Sequence, residues 1–422
     1  MKPWDPPEER LYGIVADLLD DWQASYHPVF DGNRPCATRG GLRPINSSRG
    51  SNAQHQHPTE IKTMTTFNAY AAGTAHDPLQ PFSFDPGEIG PEEVEIKVSH
   101  CGICHSDLSM LDNEWGMSQY PFVPGHEVAG TVVALGNAAR GLKVGQRVGL
   151  GWFSQSCLAC HECLSGQHNL CATAQGTIIG RHGGFADRVR AQWTWVRPLP
   201  EALDLATVGP LLCGGITVFA PFLIHDLPST ARVGIIGIGG LGHMALQFAN
   251  KWGCEVHAFT TSDSKAAEAR QLGAHYVHNT KQDGALKKLS RSLDFIISTI
   301  NAPQDVSGFL ETLAPNGCFH NVGAVLKPFE VPAFSLIMGQ KSVAGSPTGS
   351  PTTIDHMLAF SARHSIAPVV EFFPMSRLND ALERLRSGKA RYRIVLVNDF
   401  DKAQSAADTR REKQPEPALS AA

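Results

Sequence analysis

Hydrophobic and polar positions alternate in two different ways along the chain, and the change divides it. From about residue 67 to 214, segments such as 94–100 and 127–136 are β-branched or alternate apolar with polar residues, with Gly and Pro between them. That pattern is typical of strands. From about 231 to 349, short apolar runs instead alternate with stretches of helical spacing. This β-α-β alternation indicates a parallel, doubly wound sheet.

The second region can be divided into elements from its pattern. It predicts, in order, a buried strand ARVGIIGI, a helix GGLGHMALQFANKWG, a strand CEVHAFT and a helix SKAAEARQLGA. Further strands are predicted at 294–300, 318–323 and 341–346, followed by a helix TTIDHMLAFSARH and a final strand RYRIVLV. The chain is therefore predicted to be an α/β protein.

The two ends differ in character from this central part. Residues 11–22 carry apolar side chains at helical spacing, which predicts a short amphipathic helix, but the segment up to residue 63 then becomes polar and Gly-rich. We expect residues 1–63 to be a disordered or dispensable extension, with Met64 as a natural start. Residues 401–422 are expected to form a solvated, disordered tail.

Length and charge limit the classes of function. A chain of 422 residues is long enough for two domains. Its 36 basic and 40 acidic residues leave no basic footprint for nucleic acid or for an acidic membrane. No apolar run reaches the roughly 18–20 residues of a membrane-spanning helix. Ten cysteines without a secretory signal favour reduced thiols, metal binding and a cytoplasmic location.

Four cysteines follow the spacing C-x2-C-x2-C-x7-C: Cys157, Cys160, Cys163 and Cys171. Four thiolates this close can complete a tetrahedral shell around a structural zinc ion. A ferredoxin-type iron–sulfur site would need three residues before its last cysteine and a proline after it, whereas here there are seven and then Ala172. Disulfides would need an oxidising compartment. We therefore predict a structural zinc, with His161 and His168 as solvated loop residues.

A glycine motif predicts a dinucleotide site. Gly237, Gly239 and Gly242 form G-x-G-x-x-G between a predicted strand and a predicted helix, and Gly240 and Leu241 complete the turn. Such glycines let the backbone approach a pyrophosphate, whose charge the helix N-terminus attracts. The alternative is a tight turn without a ligand.

The end of the next predicted strand favours NADP(H) over NAD. An NAD site usually has an acidic residue there, but Thr260 and Thr261 are neutral. Asp263 is expected to cap the following helix beside Ser262. The three hydroxyls, with Lys265 one turn on, suit a 2′-phosphate. The alternative is that these residues only cap the helix.

Three distant segments carry further metal-binding side chains: CGICHSDL, VPGHEVAG and GPLLCGGITVF. Three protein ligands and a water molecule make an open, catalytic zinc site, and two thiolates with an imidazole suit a Lewis acid for a carbonyl. Taken singly, Cys213 could be a core residue, GHE a turn and CGIC a redox dithiol.

Taken in order, these motifs resemble the zinc-dependent medium-chain alcohol dehydrogenases, in the cinnamyl alcohol dehydrogenase branch. WTWVRPLP and GKARYRIVL are similar to segments of its broad-range NADPH-dependent aldehyde reductases. The resemblance covers about residues 65–400. It implies a partly open, GroES-like β-barrel as the catalytic domain (64–214 and 350–400), a Rossmann domain (215–349) and a homodimer.

The resemblance also implies roles for individual residues. The catalytic zinc ligands fall on Cys104, His126 and Cys213, and Glu127 is the acid that can approach the metal. The other matches are Asp107 as a carboxylate that orients a ligand, Ser106 as the hydroxyl that starts a proton relay, His105 near the cofactor phosphates, Thr217 at the nicotinamide and Arg393 at the pyrophosphate. Ser109 departs from the family, which often has histidine there to end the relay.

The expected function is reduction of aldehydes to primary alcohols, in a reversible reaction that uses NADPH and two zinc ions per chain, one for each cluster. Trp115 is expected to line an apolar pocket for the small-molecule substrate, with Trp152 and Phe153 as further candidates and ordinary packing as the alternative. Two other functions stay open. One is an NAD-dependent polyol or secondary-alcohol dehydrogenase, and the other is a non-catalytic NADPH-binding zinc protein.

Overall fold

The computed structural model describes residues 65–400. The predictions for residues 1–63, Met64 and 401–422 lie outside that part of the chain. The described strands are β1 (Phe67–Ala71), β2 (Gln80–Phe84), β3 (Glu93–Ile103), β4 (Val128–Leu135), β5 (Arg147–Leu150), β6 (Phe153–Gln155), β7 (Gln175–Gly176), β8 (Arg188–Gln192), β9 (Arg197–Pro198), β10 (Arg232–Ile236), β11 (Glu255–Thr260), β12 (Tyr276–Asn279), β13 (Leu293–Ser298), β14 (Leu313–Asn321), β15 (Ser342–Gly345), β16 (Val370–Pro374) and β17 (Arg393–Val397).

The described α-helices alternate with strands mainly in the second half of the chain. They are α1 (His105–Leu111), α2 (His161–Leu164), α3 (Gly214–Ile224), α4 (Gly242–Trp252), α5 (Ala266–Gln271), α6 (Val306–Thr312), α7 (Ala333–Ile337), α8 (Pro351–His364) and α9 (Leu378–Arg386). None of them combines the length and the apolar character that a membrane-spanning helix requires.

Six strands form one parallel sheet in the order β12-β11-β10-β13-β14-β15. The central strand β10 pairs in parallel with β11 on one side and with β13 on the other. Its apolar run lies almost wholly out of solvent, as expected of a strand covered by helices on both faces. The chain order reverses beside β10, which is the position where open α/β sheets bind ligands. The predicted doubly wound sheet is confirmed.

A second, mostly antiparallel sheet has the order β16-β17-β3-β4-β5-β9, with β8 also paired to β3. The long strand β3 is its centre, because β4, β8 and β17 all pair with it. The chain reaches this sheet again through β16 and β17, after it has completed the parallel sheet. The predicted α/β class, with a GroES-like barrel and a Rossmann sheet, is confirmed.

One predicted helix has a different start from the one expected. The segment 264–274 was expected to be helical, with Asp263 as a cap beside Ser262. In the structure Ser262 is the N-cap of a 3-10 turn, and the α-helix α5 begins only at Ala266. The Ser262 hydroxyl accepts the Ser264 N–H at 3.3 Å, which fixes the turn locally.

Candidate active site

The junction between β3 and α1 positions the first sulfur of the site. The strand ends at Ile103, and Cys104 is the N-cap of α1. The Cys104 backbone N–H donates to Asp107 Oδ2 at 2.9 Å, so a carboxylate in the first helical turn holds the start of the helix. This contact fixes the backbone from which the Cys104 thiol extends.

Asp107 also orients the imidazole. It is fully buried, and its Oδ1 accepts the Gly125 N–H at 2.9 Å and lies 3.0 Å from His126 Nδ1. Because a carboxylate only accepts here, Nδ1 carries a proton, and Nε2 is the ring nitrogen that faces the cluster. Nε2 lies 3.3 Å from Cys213 Sγ. Burial alone would disfavour a charged ring, but Asp107 raises the pKa of His126 above its ordinary value.

Four buried side chains converge at this point: Cys104, His126, Glu127 and Cys213. One ligand atom from each lies within 4.8 Å of the others, although the segments are far apart in sequence. The two sulfurs are 3.8 Å apart. The hydrogen bond from Cys213 lowers the pKa of the Cys104 thiol and raises that of Cys213, because one thiolate stabilised by one thiol is the favoured state.

Glu127 is held by a partner from the far end of the chain. Arg393 forms an ion pair with its Oε1, and both residues are buried. Burial raises the pKa of Glu127 to about 7. The other oxygen, Oε2, is buried without a hydrogen-bond partner, and a Cβ at Gly102 would lie only 2.0 Å from it. A side chain at position 102 would therefore displace the Glu127 carboxylate, a constraint that the sequence analysis missed.

The cluster fits a zinc ion by its chemistry. Two sulfurs and an imidazole are soft to borderline donors, which zinc prefers. The unpartnered Oε2 of Glu127 is a further donor that the protein itself leaves unsatisfied. Cys101, the neighbouring cysteine, is buried but is not part of the cluster.

The second cluster, which we term the cysteine lobe, consists of Cys157, Cys160, Cys163 and Cys171. One sulfur from each lies within 4.8 Å of the others. Backbone N–H groups of Ala159 and Cys160 point at Cys157 Sγ and lower the pKa of its thiol to about 6. Four sulfurs in this arrangement fit a closed, tetrahedral zinc site. The side chain of His161 is 92% exposed, and His168 Nδ1 lies 3.1 Å from the Ser156 hydroxyl.

The glycine loop lies between β10 and α4. Gly237 has a φ of +84°, and a Cβ at Gly242 would lie 1.8 Å from the Gly237 carbonyl oxygen. These two glycines make the turn possible. A Cβ at Gly239 would instead meet nothing within 4 Å, so the backbone there faces open space. This open backbone at the start of a helix fits a phosphate group.

A single cleft of about 1300 Å³ joins the glycine loop to the buried cluster. Its lining includes Gly239, Gly240 and Leu241 from the loop and Cys104 and Cys213 from the cluster. The cleft is wide enough for a dinucleotide that extends from the loop towards the cluster, because ligand sites usually measure about 300–1000 Å³.

The residues predicted to contact a 2′-phosphate are only partly available. Thr261 and Lys265 line the cleft, and Thr261 is exposed. Thr260 also lines it, but the residue is 7% exposed and its hydroxyl accepts the Ser262 N–H at 3.3 Å. Ser262 is not among the residues that line the cleft. The hydroxyl contacts of the predicted site therefore reduce mainly to Thr261.

The other predicted site residues lie along the same cleft: His105, Ser106, Ser109, Trp115, Thr217 and Arg393. Ser106 Oγ is 3.7 Å from Cys104 Sγ, next to the metal cluster. The Thr217 hydroxyl donates to the Cys213 carbonyl at 2.7 Å. Arg393 lies against Gly240, because a Cβ there would be 3.0 Å from its Nη1.

Trp152 was one of the further candidates for the substrate pocket, and the structure places it beside Trp115 in the cleft. Its ring packs edge-on against Trp115, with 6.1 Å between the ring centroids, and edge-on against His126, with 4.9 Å. Trp152 lines the cleft, whereas Phe153 packs on Trp195. Trp152 directly precedes β6 and Phe153 begins it, so neighbouring side chains of extended backbone should point to opposite faces, but the sequence does not indicate which of them faces the cleft.

Comparison with known proteins agrees with this geometry. The alcohol dehydrogenase GroES-like domain family matches residues 90–201, and the zinc-binding dehydrogenase family matches residues 240–363. The aldehyde reductase AdhA of Synechocystis sp. is 55% identical over 328 residues, which is 78% of this chain and 98% of that protein. The chain belongs to the zinc-dependent alcohol dehydrogenases.

Solved structures identify the branch of this alcohol dehydrogenase family. A cinnamyl alcohol dehydrogenase from Sorghum bicolor has 37% identity and a TM-score of 0.76, and the match covers 79% of this chain and 98% of that one. A cinnamyl alcohol dehydrogenase from Helicobacter pylori, complexed with NADP(H), has 30% identity and a TM-score of 0.73, with 80% and 99% covered. The resemblance inferred from the motifs is confirmed.

Proposed function

We propose that this alcohol dehydrogenase reduces aldehydes to primary alcohols with NADPH, and that it also catalyses the reverse oxidation. The observation that carries the proposal is that Cys104 and Cys213 line the same cleft as the glycine loop. An aldehyde in that cleft would meet the metal-binding cluster and the nicotinamide together. The names of the similar proteins, an aldehyde reductase and an NADP(H) complex, support the same substrate and cofactor.

Cys104, His126 and Cys213 would hold the catalytic zinc, with Glu127 able to approach it. When bound, zinc polarises a carbonyl group and NADPH supplies the hydride for its carbon. Asp107 holds Nδ1 of His126, so that Nε2 faces the cluster and would be the metal-binding nitrogen. The buried Arg393 neutralises Glu127, so that the cluster keeps a low net charge.

Ser106 is the group that we propose donates the proton to the product oxygen. Its hydroxyl lies beside Cys104 Sγ and lines the cleft, so it is within reach of a substrate oxygen there. The balance is one hydride from NADPH and one proton from Ser106, which recovers a proton from solvent. His105 is exposed at the cleft and Ser109 is buried, so we propose that the proton enters past His105.

The substrate pocket would be formed by two tryptophans. Trp115 and Trp152 meet edge to face, and Trp152 reaches His126 of the cluster. Their rings would exclude water from the carbonyl and accept an aliphatic or aromatic side chain. We propose an apolar aldehyde as the substrate class.

NADP(H) is proposed as the cofactor because the end of β11 has no acidic side chain. Thr261 and Lys265 line the cleft at that end, where the 2′-hydroxyl or 2′-phosphate of the adenosine ribose would lie. A preference for NADH in steady-state kinetics would overturn this proposal. It would favour the hypothesis of an NAD-dependent polyol or secondary-alcohol dehydrogenase.

The cysteine lobe is proposed to hold a second, structural zinc. Four thiolates leave no coordination position for a substrate. Both metal clusters need reduced thiols, and a cytoplasmic location would keep them reduced.

We further propose the domain division 64–214 with 350–400, and 215–349, and a homodimer. The support for the dimer is an apolar surface on and near α7, where Phe334, Ile337 and Met338 are 75%, 65% and 75% exposed. Strand β15 is an edge of the parallel sheet as described, and a second copy of the chain could pair with it. Analytical ultracentrifugation tests this, and a monomer at micromolar concentration would contradict it.

The first test is NADPH oxidation with a panel of aldehydes, together with the metal content of the protein. We expect turnover with about two zinc ions per chain, and loss of turnover on chelation. If the protein binds NADPH and about two zinc ions per chain but reduces no aldehyde, the hypothesis of a non-catalytic NADPH-binding zinc protein is favoured.

A further inference from the structure

His243 is a fully buried histidine that the proposed mechanism does not use. It directly follows Gly242 and lies in the first turn of α4, next to the glycine loop. Burial lowers its pKa to about 4, so the ring is neutral at physiological pH. A neutral imidazole has one donor and one acceptor nitrogen, and both are engaged here.

The two partners of the ring determine its tautomer. His243 Nδ1 lies 3.0 Å from the Gly239 carbonyl oxygen, which can only accept. The backbone N–H of Val369, which can only donate, lies 3.2 Å from Nε2. The proton is therefore on Nδ1. The Gly239 carbonyl also accepts the backbone N–H of His243 at 3.1 Å, so one residue holds this part of the loop twice.

Val369 connects the imidazole to the other sheet. Its carbonyl accepts the backbone N–H groups of Tyr392 and Arg393, both at 3.0 Å. The Tyr392 ring stacks on His243, with 4.8 Å between the ring centroids and 14° between the planes. Arg393 then forms the ion pair with Glu127 in the metal cluster. A continuous set of contacts thus joins the glycine loop to the cluster.

A second contact supports the same connection. The Gln247 amide, one turn further along α4, donates to the His243 carbonyl and to the Ala367 carbonyl, both at 3.2 Å. Helix α4 is therefore joined at two successive turns to the segment that leads into β16. The imidazole is the contact nearer to the loop.

We propose that His243 is a positioning residue: its Nδ1–H and Nε2 seat the glycine loop against the segment that carries Arg393, in the geometry that binds the NADPH pyrophosphate. The inference rests on the proposed function, because it assumes a dinucleotide at this loop. The physical reason is that Gly239 has no side chain to restrict its backbone, so contacts from outside the loop must hold it.

The test compares His243→Phe with His257→Phe. The first keeps an aromatic ring against Tyr392 but removes both hydrogen bonds. The second is a matched control, because His257 is a 6% exposed histidine on β11 that bonds to His278 and Glu255 and is not among the residues that line the cleft. The measurements are the Kd of NADPH by fluorescence titration, the KM values, zinc content and the melting temperature.

For His243→Phe we expect the Kd of NADPH to rise about tenfold, as for two lost hydrogen bonds of ordinary strength. The KM for the aldehyde and the zinc content should stay within about twofold of the wild-type values. In His257→Phe the Kd should stay within about twofold, even if the melting temperature falls.

Two further variants divide the role of the ring and apply even if His243→Phe does not fold. In His243→Asn the side-chain amide can still donate to Gly239, and in His243→Gln the amide oxygen can still accept from Val369. We expect each to restore part of the NADPH affinity. A folded variant at position 243 with unchanged Kd, or with a loss equal to that of His257→Phe, overturns the inference. If the wild type binds NADH but not NADPH, the cofactor proposal fails instead, and the comparison is repeated with NADH.

Discussion

The two cysteine-containing clusters of this enzyme differ in how the chain builds them. The cysteine lobe takes all its sulfurs from fifteen consecutive residues, and Cys157 in it is exposed. The buried cluster takes Cys104 and Cys213 from positions 109 residues apart, and all of its members are buried. The lobe depends on local spacing, whereas the buried cluster depends on the pairing of β3 with β4 and on the packing of the segment before α3 against these strands.

The surroundings of the clusters explain their different proposed roles. In the lobe, sulfur is the donor at all four positions, so a bound zinc is closed off. In the buried cluster, Glu127 has an unpartnered oxygen, and both cysteines border a cleft. Openness to a cleft, rather than the number of sulfurs, separates a catalytic zinc site from a structural one.

The largest expected effect comes from Cys104→Ser. Loss of one thiolate should remove the catalytic zinc and lower turnover by about 1000-fold, since a Lewis acid contributes several kcal/mol to the transition state. Zinc content should fall from about two to about one per chain, by mass spectrometry of the native protein. Cys101→Ser is the matched control, because Cys101 is buried three residues away but outside the cluster. Full turnover in Cys104→Ser would contradict the zinc mechanism.

The same change in the lobe should affect stability more than chemistry. Cys163→Ser replaces a buried lobe sulfur, and we expect the melting temperature to fall by roughly 5 °C, as for a loss of about 3 kcal/mol. His161→Gln, at an exposed position of the same lobe, should leave it unchanged. If Cys163→Ser lost its turnover while keeping the wild-type melting temperature, the distinction between the clusters would fail.

A smaller effect is expected from a substitution at the end of β11, where the cleft is lined by Thr261 and Lys265 rather than by the buried cluster. Thr261→Asp places a negative charge opposite the proposed 2′-phosphate, and the ratio of kcat/KM for NADPH over NADH should fall at least about tenfold. Thr260→Val should change that ratio far less, because the Thr260 hydroxyl is bonded to the Ser262 backbone. Equal effects of the two changes would show that Thr260 also contacts the cofactor.

The smallest expected effect comes from a substitution that tests whether the cysteine lobe influences catalysis at the cleft. Asn169, in the lobe, donates from Nδ2 to the carbonyl of Thr348 at 2.9 Å, and Thr348 lines the cleft. Asn169→Ala should raise the KM for the aldehyde or for NADPH by about twofold, with little change in kcat. A loss of turnover comparable to that of Cys104→Ser would mean that the lobe acts directly on the cleft. The distinction between a structural lobe and a catalytic cluster would then be wrong.

Much of the site was predictable because its signals are local. The cysteine lobe, the glycine loop and the strand–helix alternation each occupy a short stretch whose spacing has a physical meaning. Cys104, His126 and Cys213 were predicted as ligands of the catalytic zinc from the resemblance to a family, since they lie on separate segments. Spacing cannot bring such residues together without the fold.

Other features were decided only by long-range contacts. The pairing of β17 with β3 puts Arg393 beside Glu127, 266 residues away in sequence. The packing of α4 against the segment before β16 gives His243 its partner in Val369, 126 residues away in sequence. Thr260 and Thr261 are chemically alike in sequence, but one is buried and the other exposed.

Residue identity and spacing along the chain therefore determined which chemistry this protein carries: two sets of metal-binding side chains, a phosphate-binding turn and the elements that hold them. Tertiary structure decided which of these groups meet, which oxygen of Glu127 stays unpaired and that Trp152 rather than Phe153 faces the cleft. The reason is physical. Donor chemistry and local conformation belong to the residues themselves, whereas burial, ion pairing and access to a cleft arise only when distant segments pack together.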